Sequence, residues 1–261
     1  MEKLFLMGSF TISVLASGSK GNCIYISNGE SSILVDCGIS AIQIEKQLVE
    51  KGFNPNNLDA IIISHEHDDH IKGLNPFSNK FNIPVFITEK TKKASKLQNL
   101  DNVRYFEYGK SFYAKNLKID PFPISHDAAE PSGFTIKYKE KKIGIATDLG
   151  IVTALVKYYL KESSFLIIEA NYDLEMLEKG RYPWPLKQRI KSRVGHLSNI
   201  ETKNLLIELK HEKLYHVVLA HISETNNSIE KALSTAGEAL GQSSINLNAA
   251  TQKGCKQIFK F

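Results

Sequence analysis

The run Ile61-Ile62-Ile63-Ser64-His65-Glu66-His67-Asp68-Asp69-His70 limits this chain more than any other stretch. Its three isoleucines are β-branched and apolar, so they read as a buried strand. The strand leads into three histidines and two aspartates within six residues, in the pattern H-x-H-x-D-H. Side chains alternate along an extended chain, which places His65 and His67 on one side. Asp69 and His70 precede Ile71-Lys72-Gly73-Leu74, where a helix can start, and can turn toward a second position nearby. Imidazole nitrogens and carboxylate oxygens ligate zinc, and also manganese or iron. The spacing therefore suits two adjacent divalent ions, one on the histidine pair and one on Asp69 and His70. The plain alternative is a solvated polar loop, and so dense a cluster argues against it.

The 261 residues allow one or two domains and a full core. At 42% apolar and 23% charged, the composition is that of an ordinary globular protein. A net charge of +5 leans mildly toward an anionic substrate. Cys23, Cys37 and Cys255 are odd in number and lack metal-ligand spacing, which suits reduced thiols in a cytoplasm. No apolar run is long enough to span a bilayer, so no membrane partner is expected. The stretch Met1–Met7 is too short for a secretory signal. No linker or low-complexity segment interrupts the sequence, and residues 1–261 read as one domain.

Strands are expected at 11–15, 23–26 and 32–35, the last two joined by Asn28-Gly29, a hairpin signal. The loop Ser17-Gly18-Ser19-Lys20-Gly21-Asn22 is either an ordinary turn or a source of backbone N–H groups for an anion. Asp36, at a strand end, either accepts the free N–H of a ligating histidine or caps a helix. Helices are expected over 39–52, 71–81 and 89–98, with a strand at 84–87. Later strands end at His126, Asp148, Glu169 and His221, as the first ends at His65. Functional groups at the C-terminal ends of strands are typical of layered α/β proteins. Hairpins first and alternating strands and helices later predict two packed sheets with helices outside.

His65-x-His67-x-Asp69-His70, followed by His126, Asp148 and His221, resembles the ligand series of the metallo-β-lactamase superfamily in order and spacing. The segments 15–22, 125–131, 182–189 and 195–199 resemble its YycJ/WalJ group. The resemblance covers nearly the whole chain. It implies an α/β fold of the four-layer αββα type with a dinuclear site. His65, His67 and His126 would hold one metal, Asp69, His70 and His221 the other, and Asp148 would bridge. It further implies a 5′-to-3′ DNA exonuclease linked to mismatch repair, with DNA favoured over RNA as partner.

Two such ions clamp a phosphodiester and share a hydroxide, with Asp69 orienting it. His196 is the expected proton donor to the leaving oxygen, or else a structural histidine beside a helix start. Ser198 and Asn171 are candidates for substrate contact. Ser198 can equally be an N-cap, and Asn171 or Glu169 a buried hydrogen-bonding group. From Lys179 to Arg193 there are six basic residues and no acid, with Trp184 and Arg189 among them. This segment reads as a nucleic-acid surface or as a solvated basic helix. The rival functions are a small-molecule hydrolase on the same scaffold and a non-catalytic DNA-binding repair protein. A homo-oligomer is allowed and not required.

Overall fold

The computed structural model describes residues 9–95 and 97–261. The Met1–Met7 stretch and Lys96 lie outside the described residues. The described strands form two seven-stranded sheets. The first holds β1 (Thr11–Ala16), β2 (Cys23–Ser27), β3 (Ser32–Val35), β4 (Ala60–Ile62), β5 (Val85–Ile87) and β6 (Val103–Tyr105). The second holds β7 (Phe112–Ala114), β8 (Leu117–Pro123), β9 (Ser132–Tyr138), β10 (Lys141–Ala146), β11 (Phe165–Glu169), β12 (His216–Ala220) and β13 (Asn246–Ala249). The last strand, β14 (Phe259–Lys260), returns to the edge of the first sheet beside β1.

Period-two alternation divides the apolar residues among three layers of core. Ile33, Val35, Ile62, Ile143, Ile145, Phe165 and Ile167 point between the sheets. Leu34, Ile61 and Val85 face outward onto Ile44, Leu48 and Phe77. The last three come from α1 (Ala41–Glu50) and α3 (Leu74–Phe81), which flank the short α2 (Asp68–Ile71). α4 (Glu89–Ala94) follows β5, and the segment expected to be helical to 98 stops short. On the other side Leu166, Ile168, Val217 and Leu219 pack outward onto a second helical layer. Its helices are α5 (Ala154–Leu160), α8 (Asn199–Leu209) and α9 (Ile229–Leu240), with α6 (Leu174–Lys179) and α7 (Trp184–Ile190) between α5 and α8 in the chain. The result is the expected helix–sheet–sheet–helix sandwich. Strands apolar on both faces have no solvent side, which is why they read as continuous hydrophobic runs.

The helix expected over 71–81 is two helices. Gly73 stands at the N-cap of the second, packed so closely on the start of α1 that a Cβ there would lie 2.1 Å from the Ile39 carbonyl oxygen. β3, β4 and β5 pair in parallel, as do β10, β11, β12 and β13. Parallel pairing brings many strand C-termini to one edge of each sheet, and the polar residues named above gather there. Among the described residues no helix is long and apolar enough to cross a membrane.

Candidate metal centre

β4 continues through Ile63 and Ser64 into His65, and His67 occupies the N-cap position of α2. His65 Nε2 and His126 Nε2 lie 3.0 and 3.3 Å from His67 Nδ1. The first turn of α2 swings Asp69 and His70 to the neighbouring position. There His221 Nε2 is 3.6 Å from Asp69 Oδ2 and 3.5 Å from Asp148 Oδ1. Asp148 lies between the two groups, its Oδ2 3.1 Å from His70 Nε2 and its Oδ1 3.8 Å from His126 Nε2. The structure thus brings all seven side chains together.

Hydrogen bonds on the far sides of the rings assign the tautomers. His70 Nδ1 donates to Asp36 Oδ2 at 2.8 Å, and His221 Nδ1 to Glu169 Oε1 at 2.9 Å. His126 Nδ1 donates to the Gly195 carbonyl at 3.2 Å. His65 Nδ1 donates to Ser64 Oγ at 3.0 Å, and that hydroxyl donates on to Asp36 Oδ2 at 2.9 Å. Four Nε2 lone pairs therefore face inward, together with His67 Nδ1, Asp69 and Asp148. The amide of Asn22 supplies a donor, 3.2 Å from Asp69 Oδ2 and 3.0 Å from His70 Nε2. His221 Nε2 and Asp148 Oδ2 are buried without a hydrogen-bond partner. The 3.1 Å approach of Asp148 to His70 is one acceptor facing another. Buried acceptors so crowded, with so few donors, fit divalent cations among them, and four overlapping groups here have metal-binding geometry.

The electrostatics agree. Burial holds His65 well below the usual histidine pKa. Burial also opposes charge on His70, but Asp36 and Asp148 overcome it and raise its pKa. His221 is pushed up to about 10 against burial by the carboxylates of Asp148, Asp69 and Glu169 around it. Asp148 is held well below the carboxylate range despite burial, chiefly by His221 and His70. The pocket draws positive charge.

Local backbone geometry aims these groups. Asp36, Asp148 and His221 each follow a strand with φ of 62°, 57° and 54°. Left-handed conformations in non-glycine residues cost about 1–3 kcal/mol each and concentrate at functional sites. The loop 36–38 presses against α2, where Cys37 N donates to the His70 carbonyl at 2.8 Å. A Cβ on Gly38 would sit 1.6 Å from the Asp69 carbonyl oxygen, so glycine is required for this approach.

An open cleft of about 280 Å³ runs over the centre, lined by Ser19, His67, Asp69, Arg189, Ile190 and His196 among others. His196 Nδ1 donates to Glu169 Oε1 at 2.8 Å, and its ring centroid is 5.1 Å from that of His221. Glu169 is wholly buried, and its Oε2 accepts Leu149 N and Leu197 N at 2.8 and 3.1 Å. One carboxylate therefore fixes both His196 and His221. A larger cavity, about 530 Å³, lies against Lys118, Asp120, Lys137 and Lys142 on the outer face of the second sheet, among none of these histidines.

Residues 16–167 match the family model for the metallo-beta-lactamase superfamily. The chain belongs to that superfamily. It is 35% identical over 242 residues to exodeoxyribonuclease YycJ of Bacillus anthracis, which covers 91% of this chain and 92% of that one. It is also 35% identical over 249 residues to exodeoxyribonuclease WalJ of Streptococcus pneumoniae serotype 2, covering 91% of both. The metallo-beta-lactamase fold protein YhfI from Bacillus subtilis superposes with a TM-score of 0.75 over 97% of this chain and 100% of its own. At 17% identity that likeness speaks for the fold alone. The chain is a metallo-beta-lactamase superfamily hydrolase of the YycJ/WalJ type.

Of the residues expected to touch substrate in this superfamily member, Asn171, Ser198 and Trp184 are not in the cleft lining and Arg189 is. Asn171 is buried behind His221, donating to its carbonyl at 2.8 Å, and does not line the cleft. The Ser198 hydroxyl forms a capping box with Glu201 at the start of α8. Trp184 is 68% exposed at the start of α7, outside the cleft lining, with the Lys191 ammonium 5.7 Å from its ring. Arg189 does reach the cleft rim, where Nε and Nη2 bind Asp127 Oδ2 at 2.9 and 2.8 Å. The basic segment is also less positive than its sequence window suggests. Lys179 pairs with Glu175 at 2.6 Å and Lys191 with Glu178 at 3.4 Å, both acids lying just upstream. Arg181 and Arg193 have no ion-pair partner among the described residues.

Proposed function

We propose that the chain is a dinuclear phosphodiesterase acting on nucleic acid, a cytoplasmic 5′-to-3′ DNA exonuclease linked to mismatch repair. The reading treats residues 1–261 as one catalytic domain. The observation that carries it is the convergence of seven inward-facing acceptor residues beneath an open cleft. The exodeoxyribonuclease names of the YycJ and WalJ relatives support DNA as substrate. Three buried, unpaired cysteines suit a reducing compartment.

In this reading His65, His67 and His126 would hold one ion, and Asp69, His70 and His221 the other, with Asp148 within reach of both. Zinc and manganese suit the donor set, and iron is compatible with it. Bound there, two divalent ions supply Lewis acidity toward the phosphate and bring water's pKa toward neutrality. Asp69, facing the cleft, orients the attacking water. His196, held through Nδ1 by Glu169, presents Nε2 to the leaving oxygen and delivers a proton there. Glu169 fixes the ring's orientation, and being buried it does so without competing water. Asp36 fixes the His70 tautomer. Arg189 at the rim neutralises backbone phosphate, with Arg193 nearby in sequence.

The test is digestion of 5′- and 3′-labelled single- and double-stranded DNA and RNA with zinc or manganese added. Stepwise loss of nucleotides from the 5′ end of DNA is expected. Tight DNA binding without cleavage would overturn the catalytic reading in favour of a binding protein. Cleavage confined to small esters would move the substrate class.

A further inference from the structure

The loop from Ser17 to Asn22 touches both halves of the centre. Ser17 Oγ accepts His221 N at 2.8 Å. Asn22 N donates to the Asp69 carbonyl at 2.7 Å, and the Asn22 side chain reaches Asp69 and His70 as described. The loop is also tied to itself and to the C-terminal segment. Gly18 N donates to Asn22 Oδ1 at 2.8 Å, Lys20 N to Gln252 Oε1 at 2.9 Å, and Gln252 Nε2 to the Gly21 carbonyl at 3.1 Å. Gly18 and Gly21, with φ of 130° and 151°, permit these bends. Lys20 turns its ammonium to Glu224.

Ser19 is the exception. It is exposed, it lines the cleft, and neither its N–H nor its hydroxyl has a partner among the described residues. We propose that Ser19 is a phosphate-binding residue, its N–H and Oγ–H receiving a phosphate oxygen of the strand on the Asp69–His221 side of the cleft. The proposal rests on the reading that the cleft takes nucleic acid. Two small donors on a pinned loop match an anionic oxygen, for which preorganised N–H and O–H groups are the usual receptors. Both Ser19 and Arg189 line the cleft, so a bound strand would be held from the loop and from α7.

Metal-loaded wild type, Ser19→Ala and Ser19→Thr would be compared in two assays. The first is binding of inorganic phosphate, followed by calorimetry and independent of any nuclease activity. The second is steady-state cleavage of a 5′-phosphorylated oligonucleotide. Ser19→Ala is expected to weaken phosphate binding by about fivefold to tenfold, and Ser19→Thr to restore it to within twofold, as for loss and return of one hydrogen bond to a charged group. KM should rise by a similar factor in Ser19→Ala with kcat within twofold, the signature of lost ground-state binding. Unchanged phosphate affinity in Ser19→Ala overturns the proposal whether or not the wild type cuts DNA. A wild type that cleaves no nucleic acid overturns the functional reading, while the phosphate assay still decides the role of Ser19.

Discussion

Asp36 Oδ2 accepts His70 Nδ1–H at 2.8 Å on the face of the imidazole turned away from the cleft. The same carboxylate holds Ser64 through its backbone N–H and its hydroxyl. One buried side chain thus orients His70 directly and His65 through Ser64. Asp36→Asn is expected to lower metal affinity about 10- to 100-fold, the usual effect of losing a partner behind a ligating histidine. Metal titration by calorimetry checks this, and unchanged affinity would remove Asp36 from the centre.

His196 is the cleft-side ring held by Glu169. His196→Gln should lower kcat by about 10²- to 10⁴-fold while bound metal stays at the wild-type level. Glu169→Gln should lower kcat and also metal retention, because Glu169 supports His221 as well. Elemental analysis beside the rate measurement separates the two variants. Full activity in His196→Gln would assign the proton to another group.

Arg193, which has no ion-pair partner among the described residues, and Arg189, which lines the cleft while paired with Asp127, are the probes of strand binding. The double change Arg189→Ala with Arg193→Ala should weaken oligonucleotide binding. It should also flatten the slope of log affinity against log salt by about 1–2. A slope equal to the wild type's would place the strand elsewhere.

Lys142 lies in the cavity on the outer face of the second sheet, where burial lowers its pKa to about 8. An unfolded lysine titrates near 10.4, so folding favours the neutral amine. Below pH ~8 both states are protonated and the burial penalty is fully present. Between pH ~8 and ~10.4 the unfolded chain binds more protons, so this residue makes stability rise with pH. Lys142→Met should therefore stabilise the protein at pH 7 by about 1 kcal/mol, since partial exposure screens much of the penalty. The gain should shrink toward pH 10 in denaturant melts, and a constant gain would argue against the titration.

Metal binding should be visible as stability. A cation that binds only the folded state at 100 times its Kd adds about 2.7 kcal/mol, roughly 5–10 °C in Tm for a chain of this size. Thermal scans with added zinc or manganese, and then with chelator, test it. No shift with any divalent ion would remove the metal from the centre.

The centre was legible because its signals are local. Ile61–Ile63 declares a strand by side-chain type, and the spacing from His65 to His70 follows from two backbone periods. His126, Asp148 and His221 could be found because each follows an apolar run. The part played by Glu169 was not legible, since it depends on two histidines and two backbone N–H groups that meet only in the fold. Ser198 and Asn171 were open to two roles because the same side chains cap helices, join backbone and bind ligands. The strands Val103–Tyr105 and Asn246–Ala249 gave no signal, being short, partly exposed and poor in alternating apolar residues. The charge balance around the basic segment was not legible, because Glu175, Glu178 and Asp127 lie outside it in sequence and meet Lys179, Lys191 and Arg189 only in the fold.

α7 forms one wall of the cleft yet contains no buried residue. Exchanges on an exposed helix rarely alter stability by more than about 0.5 kcal/mol. The floor beneath it is strained, buried and intolerant of change. That wall can therefore be rewritten, residue by residue, to admit different nucleic-acid ends while the chemistry below stays as it is.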